Sequence, residues 1–262
     1  MVRAIEAGVH LHWRILGASD FIYFDERPDL ITYGPKQRPS AFFDTVIRAR
    51  FPEPGADRRL DETLAALGFP ERPLIWLVTP SSTPADLGER LLRRDFVLRT
   101  DLPGMAVRLD EVRPEEPPPG LEIEVVSDLE RLTALNSVTS AGFGMPPGLA
   151  DLFLRAYSSI PFDDPRWVPY VGLLDGEVVA STILMHDGDA AGLYAVAVLP
   201  ECQRRGIGGA LTLRALADAR DRGVSLVTLR ASDAGASMYA RIGFREFCRI
   251  RQYWHFPPGV QT

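Results

Sequence analysis

From residue 121 onward the spacing of apolar positions changes several times, and each change marks an element. Leu121–Val126 alternates with the period of a strand. Ser127 and Glu130 form a capping box ahead of a helix running to about Val138. The stretch Gly142-Phe143-Gly144-Met145-Pro146-Pro147-Gly148 reads as a loop, with a second helix over Leu149–Ser158. Three strands follow as a meander, Val168–Leu174, Glu177–Met185 and Gly192–Leu199. They are joined by a two-residue turn at Asp175-Gly176 and a second turn at Asp187-Gly188-Asp189. The spacing then predicts a helix over Ile207–Arg222 closed by Gly223, a strand over Val224–Arg230, a short helix over Ala234–Ile242 closed by Gly243, and a last strand over Phe244–His255.

The first half carries a fainter version of the end of this pattern. Phe42–Ala49 reads as a strand, Asp57–Leu67 as a helix capped by Gly68, Leu74–Val78 as a strand, Pro84–Arg94 as a helix, and Phe96–Leu109 as a strand. The repeat sets Leu91 where Tyr239 stands and Phe96 where Phe244 stands. Between the halves, Arg113-Pro114-Glu115-Glu116-Pro117-Pro118-Pro119-Gly120 continues neither helix nor inner strand and favours an extended spacer. The expected division is therefore a domain over 1–112, a linker over 113–120 and a second domain over 121–262, each domain long enough for its own core.

Composition narrows the class. Apolar residues make up 46% and charged residues 24% of the 262, a globular balance. No apolar run reaches bilayer-spanning length, and the first eight residues lack the charged-then-apolar order of a signal peptide, so the expected location is the cytoplasm, with no membrane partner. The net charge of −6 and the absence of a basic run argue against nucleic acid. Cys202 and Cys248 make neither a disulfide framework nor a metal-ligand spacing, so no metal is expected. The sequence leaves homodimer formation open.

The chemistry concentrates in Val196-Ala197-Val198-Leu199-Pro200-Glu201-Cys202-Gln203-Arg204-Arg205-Gly206-Ile207-Gly208-Gly209. A buried strand runs into a glycine-rich turn that opens into a helix. Amides at a helix start lack internal partners and carry the positive end of the dipole. Glycines keep Cβ atoms out of the way, and Arg204 and Arg205 add full charges, so the stretch suits a pyrophosphate. A nucleoside-triphosphate loop would need a lysine before Ser or Thr, which is missing. A dinucleotide fingerprint would need glycine where Leu211 stands. The same residues also fit a plain surface turn with two exposed arginines.

Gln203, Gly206 and Gly208 satisfy a third pattern, Gln-x-x-Gly-x-Gly, and here the chain resembles the GNAT superfamily of acyl-CoA-dependent N-acyltransferases. The segment Ser232–Phe244 strengthens the resemblance through Tyr239 and the pair Gly243-Phe244, although Ser232 stands where the family usually has asparagine and Gly235 where it usually has alanine. The resemblance covers about 135 residues. It implies an α/β (α+β) fold with a mixed, mostly antiparallel sheet flanked by helices, two such domains in tandem, and acetyl-CoA as acyl donor to a small-molecule amine. It further implies that Gln203, Arg204, Arg205, Gly206, Ile207, Gly208 and Gly209 hold the CoA pyrophosphate, that the backbone of Val196, Ala197 and Val198 lines the pantetheine, that Ser232 sits at the cofactor, and that Tyr239 is the general acid.

The first half resembles the family only through the repeat. Its counterpart loop, Phe51-Pro52-Glu53-Pro54-Gly55-Ala56-Asp57, carries acids where a pyrophosphate needs cations. The expectation is a degenerate copy that no longer binds CoA. No general base stands out. Tyr194 lies on the fourth strand of the domain, Asp163, Asp164, Asp187, His186 and Glu201 lie in or near loops from which each could reach a cleft, and a water chain is the alternative base. Phe143, Met145 and Trp167 flank the expected acceptor region. The rival readings are a non-catalytic acyl-CoA sensor or scaffold, and a transferase for a longer acyl chain.

Overall fold

The structure, a computed structural model, describes residues 1–37, 43–188 and 190–257. Along the chain run α1 (Val2–Leu16), β1 (Ile22–Glu26), β2 (Ile31–Pro35), β3 (Asp44–Ile47), α2 (Ala56–Ala66), β4 (Leu74–Val78), α3 (Leu87–Leu92) and β5 (Val97–Arg108). Then follow β6 (Leu121–Val125), α4 (Leu129–Phe143), α5 (Pro147–Ser158), β7 (Trp167–Leu174), β8 (Glu177–Asp187), β9 (Ala190–Val198), α6 (Ile207–Asp221), β10 (Leu226–Arg230), α7 (Asp233–Ile242) and β11 (Arg245–His255). This is the mixed α/β architecture expected.

The chain forms two compact units, and their limits do not follow the proline-rich segment. One unit takes residues 3–12 and 104–247, and the other takes 13–103 and the chain from 248 onward. Residues 113–120 therefore lie inside the C-terminal unit. The physical reason is strand pairing. In the C-terminal unit β5 pairs with β10 over Gly104–Arg108, so the end of the first half completes the second half's sheet. In the N-terminal unit β11 pairs with β4 over Arg251–His255, so the end of the chain completes the first half's sheet.

The sheet of the C-terminal unit has the order β6-β7-β8-β9-β10-β5, and the sheet of the N-terminal unit the order β1-β2-β3-β4-β11. Within each unit, the pairings between these strands among the described residues are antiparallel except β9 with β10 and β3 with β4. The repeat is thus present in the topology, one parallel pair per unit with a helix between its strands. Leu91 and Phe96 pack in the N-terminal unit's core, as Tyr239 and Phe244 do in the other.

Local chemistry explains most boundaries. Asp175 and Gly176 take φ of 51° and 83° and close the β7–β8 hairpin, a turn that needs two left-handed residues. Asp187 ends β8 and Gly188 follows at φ 58°; Asp189, the rest of the expected turn, lies outside the described residues. The cap of α4 is Asp128, one residue beyond the expected Ser127, because its carboxylate accepts from the Arg131 amide at 2.8 Å. That helix continues to Phe143 and ends on Gly144 in a left-handed conformation, so Gly142 and Phe143 are helical rather than part of a loop.

In the C-terminal unit the two sheet faces hold different helices. Leu184 and Leu193 pack with Ala215, Leu216 and Ala219 of α6. Ser181, three residues before Leu184, touches Thr139 of α4 instead. Strand residues an odd number apart point to opposite faces, so α4 and α6 flank the sheet.

Candidate active site

The site grows from a fork in the sheet. β9 pairs with β10 from Ala190↔Leu226 to Gly192↔Thr228 and no further, although β9 runs on to Val198 and β10 to Arg230. Beyond the fork the register of β9 with β8 jumps, from Ile183↔Tyr194 to Ser181↔Ala197. One residue too many on β9 makes a bulge. Within it Ala195 sits at φ 52°, a left-handed conformation disfavoured for any residue with a Cβ. Past the bulge, Val196, Ala197 and Val198 run along the fork; strand amides alternate, and since the Leu199 amide donates to Val179 of β8, those of Val196 and Val198 face the open side and that of Ala197 faces β8. Gly142 of α4 presses on this stretch; a Cβ there would come within 2.8 Å of the Ala197 Cβ.

The glycine-rich loop follows at once. Gln203 turns its side-chain amide back and donates to the Val198 carbonyl at 3.0 Å, which ties the loop to the strand. Arg204 and Gly206 take φ of 60° and 80°, and α6 begins at Ile207 with no side-chain cap. Its first amides therefore face outward with the helix dipole behind them. Gln203, Arg204, Arg205 and Gly206 are exposed, and Ile207 is buried. A Cβ on Gly208 would lie 3.4 Å from Met238 Sδ and 3.5 Å from Val198 Cγ2, and one on Gly209 would lie 3.5 Å from Glu115 Oε2. Those are ordinary contacts, so packing within the protein does not explain why both positions lack side chains. A diphosphate drawn against the amides would.

Tyr239 lies on α7 in the same apolar cluster as Leu193 of β9 and Leu229 of β10, the residues just past the last paired position of the fork. It is 6% exposed and meets Phe244 edge-on with ring centroids 5.5 Å apart. Burial pushes its phenol above the usual tyrosine value, so it stays protonated and able to donate. Ser232 caps α7, its hydroxyl accepting from the Gly235 amide at 3.1 Å. That cap is the contact observed for Ser232.

Several functional candidates were not legible in the sequence. α1 brings Gly8 and His12 into the C-terminal unit. The Tyr194 hydroxyl donates to the Gly8 carbonyl at 2.5 Å, and a Cβ on Gly8 would fall 2.3 Å from Thr228 Oγ1, at the fork itself. His12 is buried, with Nε2 2.7 Å from the Tyr157 hydroxyl, and its ring stacks on Tyr194 at 5.0 Å. Burial lowers the His12 pKa to about 3, so the ring is neutral at ordinary pH. Ser181 donates to the Ala195 carbonyl at 2.9 Å.

Of the loop residues, Asp164 holds Arg166 through hydrogen bonds that keep its carboxyl below the usual range, a structural pairing. Trp167 is core, stacked on Tyr157 at 5.9 Å, whereas Phe143 is exposed at the end of α4. Among the described residues no cluster of His, Cys, Asp and Glu has the arrangement to hold a metal ion, and no helix is long and apolar enough to cross a membrane.

Residues 166–246 match the acetyltransferase (GNAT) domain family. The [ribosomal protein bS18]-alanine N-acetyltransferase of Escherichia coli K12 is 36% identical over 97 residues, which cover 36% of this chain and 66% of that relative. The chain thus spans a little under two thirds of the curated relatives it matches. Among solved structures, a GCN5-related N-acetyltransferase from Kribbella flavida aligns with a TM-score of 0.73 at 19% identity, over 99% of this chain and 96% of the other. A tandem GNAT protein from the clavulanic acid biosynthesis pathway aligns with a TM-score of 0.62 at 14% identity, over 98% of this chain and 97% of the other.

Proposed function

The chain carries a GNAT-superfamily domain in its C-terminal half and has the fold of tandem GNAT proteins, and from that premise we propose that it is an N-acetyltransferase moving an acetyl group from acetyl-CoA to an amine by direct attack. The observation that carries the reading is the junction of the forked, bulged β9 with an uncapped glycine-rich helix start, beside a buried, protonated tyrosine. Acetyl-CoA supplies the activated acyl group when bound.

The residues divide the work. The outward amides at the start of α6, with Arg204 and Arg205, hold the diphosphate, because dipole and charge both favour an anion there. Gln203 acts through its bond to Val198, keeping the loop at the end of β9. The amides of Val196 and Val198, freed from β10 by the fork, bond the pantetheine arm, with Ala197 between them held to β8. One near Val198 holds the carbonyl oxygen as the amine nitrogen bonds to the acyl carbon. The nitrogen's surplus proton leaves to water, the carbon–sulfur bond breaks, and Tyr239 gives its proton to the departing thiolate and is reprotonated from solvent. Ser232 holds the start of α7 and so keeps Tyr239 in place.

An enzyme thiol-release assay with acetyl-CoA tests the reading. The amine panel includes amino acids, polyamines, aminoglycosides and a peptide with an N-terminal alanine, the last chosen from the bS18 relative. Amine-dependent thiol release is the expected result. Tight CoA binding with no amine turned over by the full chain favours the sensor reading instead.

A further inference from the structure

The bulge that frees the amides of Val196 and Val198 does not stabilise itself. Ala195 is held left-handed, where its Cβ crowds the backbone, and a strand left alone would return to regular pairing. One buried side chain opposes that return. Ser181 is 0% exposed, lies opposite Ala197 in the ladder, and donates its hydroxyl to the Ala195 carbonyl at 2.9 Å. Its oxygen is 2.9 Å from Thr139 Oγ1 on α4, itself buried.

Proton counting sets the direction of this chain. Thr139 Oγ1 also lies 2.8 Å from the Leu135 carbonyl, so two hydroxyl protons face three contacts. The Leu135 carbonyl already receives the helical N–H four residues on, as every interior helix carbonyl does. With the Ser181 proton on the Ala195 carbonyl, only the Thr139 proton can close the Thr139–Ser181 contact, and it can be shared with the Leu135 carbonyl, which keeps its helical N–H. Two buried hydroxyls between a helix and a sheet cost desolvation that alanine and valine would avoid, so packing alone does not call for them.

Resting on the acyl-CoA reading above, we propose that Thr139 and Ser181 form a hydroxyl latch that holds the β9 bulge and thereby aims the amides of Val196 and Val198 at the acyl-carrying arm of CoA. Both are positioning residues; neither need touch the ligand. Gly142, three residues after Thr139, brings the same helix onto Ala197, so α4 fixes this stretch at two points.

Calorimetry on the full chain with two probes tests the latch. CoA engages both the loop and the β9 amides, whereas ADP shares the diphosphate and lacks the arm. Thr139→Val keeps the shape and removes the hydroxyl, Thr139→Ser keeps the hydroxyl, and Ser181→Ala removes the second link. The latch predicts that Thr139→Val and Ser181→Ala weaken CoA about tenfold, the scale of a buried hydrogen bond whose loss strands an acceptor, while ADP affinity stays within about twofold. Thr139→Ser restores CoA binding. Unchanged CoA affinity in both variants, or equal losses for CoA and ADP, overturns the latch while leaving the acyl-CoA reading in place. A wild-type chain that binds neither probe overturns the acyl-CoA reading, and the latch with it.

Discussion

Gly208→Ala should make the protein slightly more stable and markedly worse at binding CoA. The stability side follows from packing. The new methyl would meet Met238 Sδ at 3.4 Å and Val198 Cγ2 at 3.5 Å, ordinary van der Waals distances. Glycine costs a helix interior about 0.5–1 kcal/mol relative to alanine, and less in the first turn, so the gain is about 0.5 kcal/mol. In a chain of this size that raises Tm by roughly 1–2 °C. The binding side follows from position. Gly208 is the second residue of α6, among the amides that face outward without a side-chain cap. A methyl there holds an anion away from them, and losing one charge-assisted hydrogen bond costs about 1.5–3 kcal/mol, or roughly 10- to 150-fold in affinity. Differential scanning fluorimetry and calorimetry with CoA at one fixed salt concentration read the two effects separately. Affinity within twofold of wild type would refute the role of this helix start, and a fall in Tm of several degrees would refute the packing argument. Gly206→Ala differs, because Gly206 sits at φ 80° and alanine there is strained whatever the ligand does.

Tyr239→Phe should leave CoA affinity nearly unchanged and lower kcat at least about tenfold on a verified amine, the low end for a general acid; wild-type kcat with chemistry rate-limiting would make Tyr239 a packing residue. CoA should bind once per chain, because the α2 start carries Asp57 in its first turn and Arg90 is already taken by Glu53, Asp57 and Asp86; two sites of similar affinity in a calorimetric titration would contradict this. His12 predicts an acid limb of stability: its folded pKa is depressed from 6.5 to about 3, so its contribution is full above 6.5 and is lost as pH falls toward 3. At about pH 4.5 the loss is on the order of 3 kcal/mol, read as a lower urea midpoint, and His12→Gln should flatten that part of the profile; an unchanged slope in the variant means other groups set it.

What the sequence disclosed depended on how local the cause was. The loop from Gln203 to Gly209 and the turn at Asp175-Gly176 are made by neighbours in sequence, so composition alone placed them. Ser127 and Asp128 are both good caps side by side, and only the carboxylate's reach to the Arg131 amide decides between them. α1 was missed because Gly8 and His12 interrupt its apolar stripe, and their reasons lie more than a hundred residues away, at Thr228 and Tyr157. Thr139 and Ser181 looked like ordinary helix and strand residues for the same cause: the carbonyl they serve belongs to another strand. The unit boundary was misjudged because prolines mark where the chain is extended, not which strand it pairs with next, and β5 and β11 each complete the sheet of the other half's unit.

The two units share their backbone plan and differ in the chemistry around it. Asp44 pairs with Leu74 where Ala190 pairs with Leu226, so the parallel pairs are equivalent. Arg48, four residues after Asp44, takes φ 54°, and Ala195, five residues after Ala190, takes φ 52°, so each copy turns its backbone left-handed just past its parallel pair. Each then enters a helix through a glycine, Gly55 or Gly206. The difference lies in what surrounds that entry. In the N-terminal unit, acids stand before and within the first turn of α2, and Arg90 and Arg94 of that same unit neutralise them, so the helix dipole is spent inside the protein. In the C-terminal unit, Arg204 and Arg205 flank an uncapped start, and the dipole faces solvent. Leu91, at the position in the repeat that Tyr239 holds in the C-terminal unit, has no proton to donate. The N-terminal unit therefore has the same backbone geometry without an open helix start or a phenol beside it. A shared strand order implies a shared site only where the helix start is left open and a proton donor stands beside the fork.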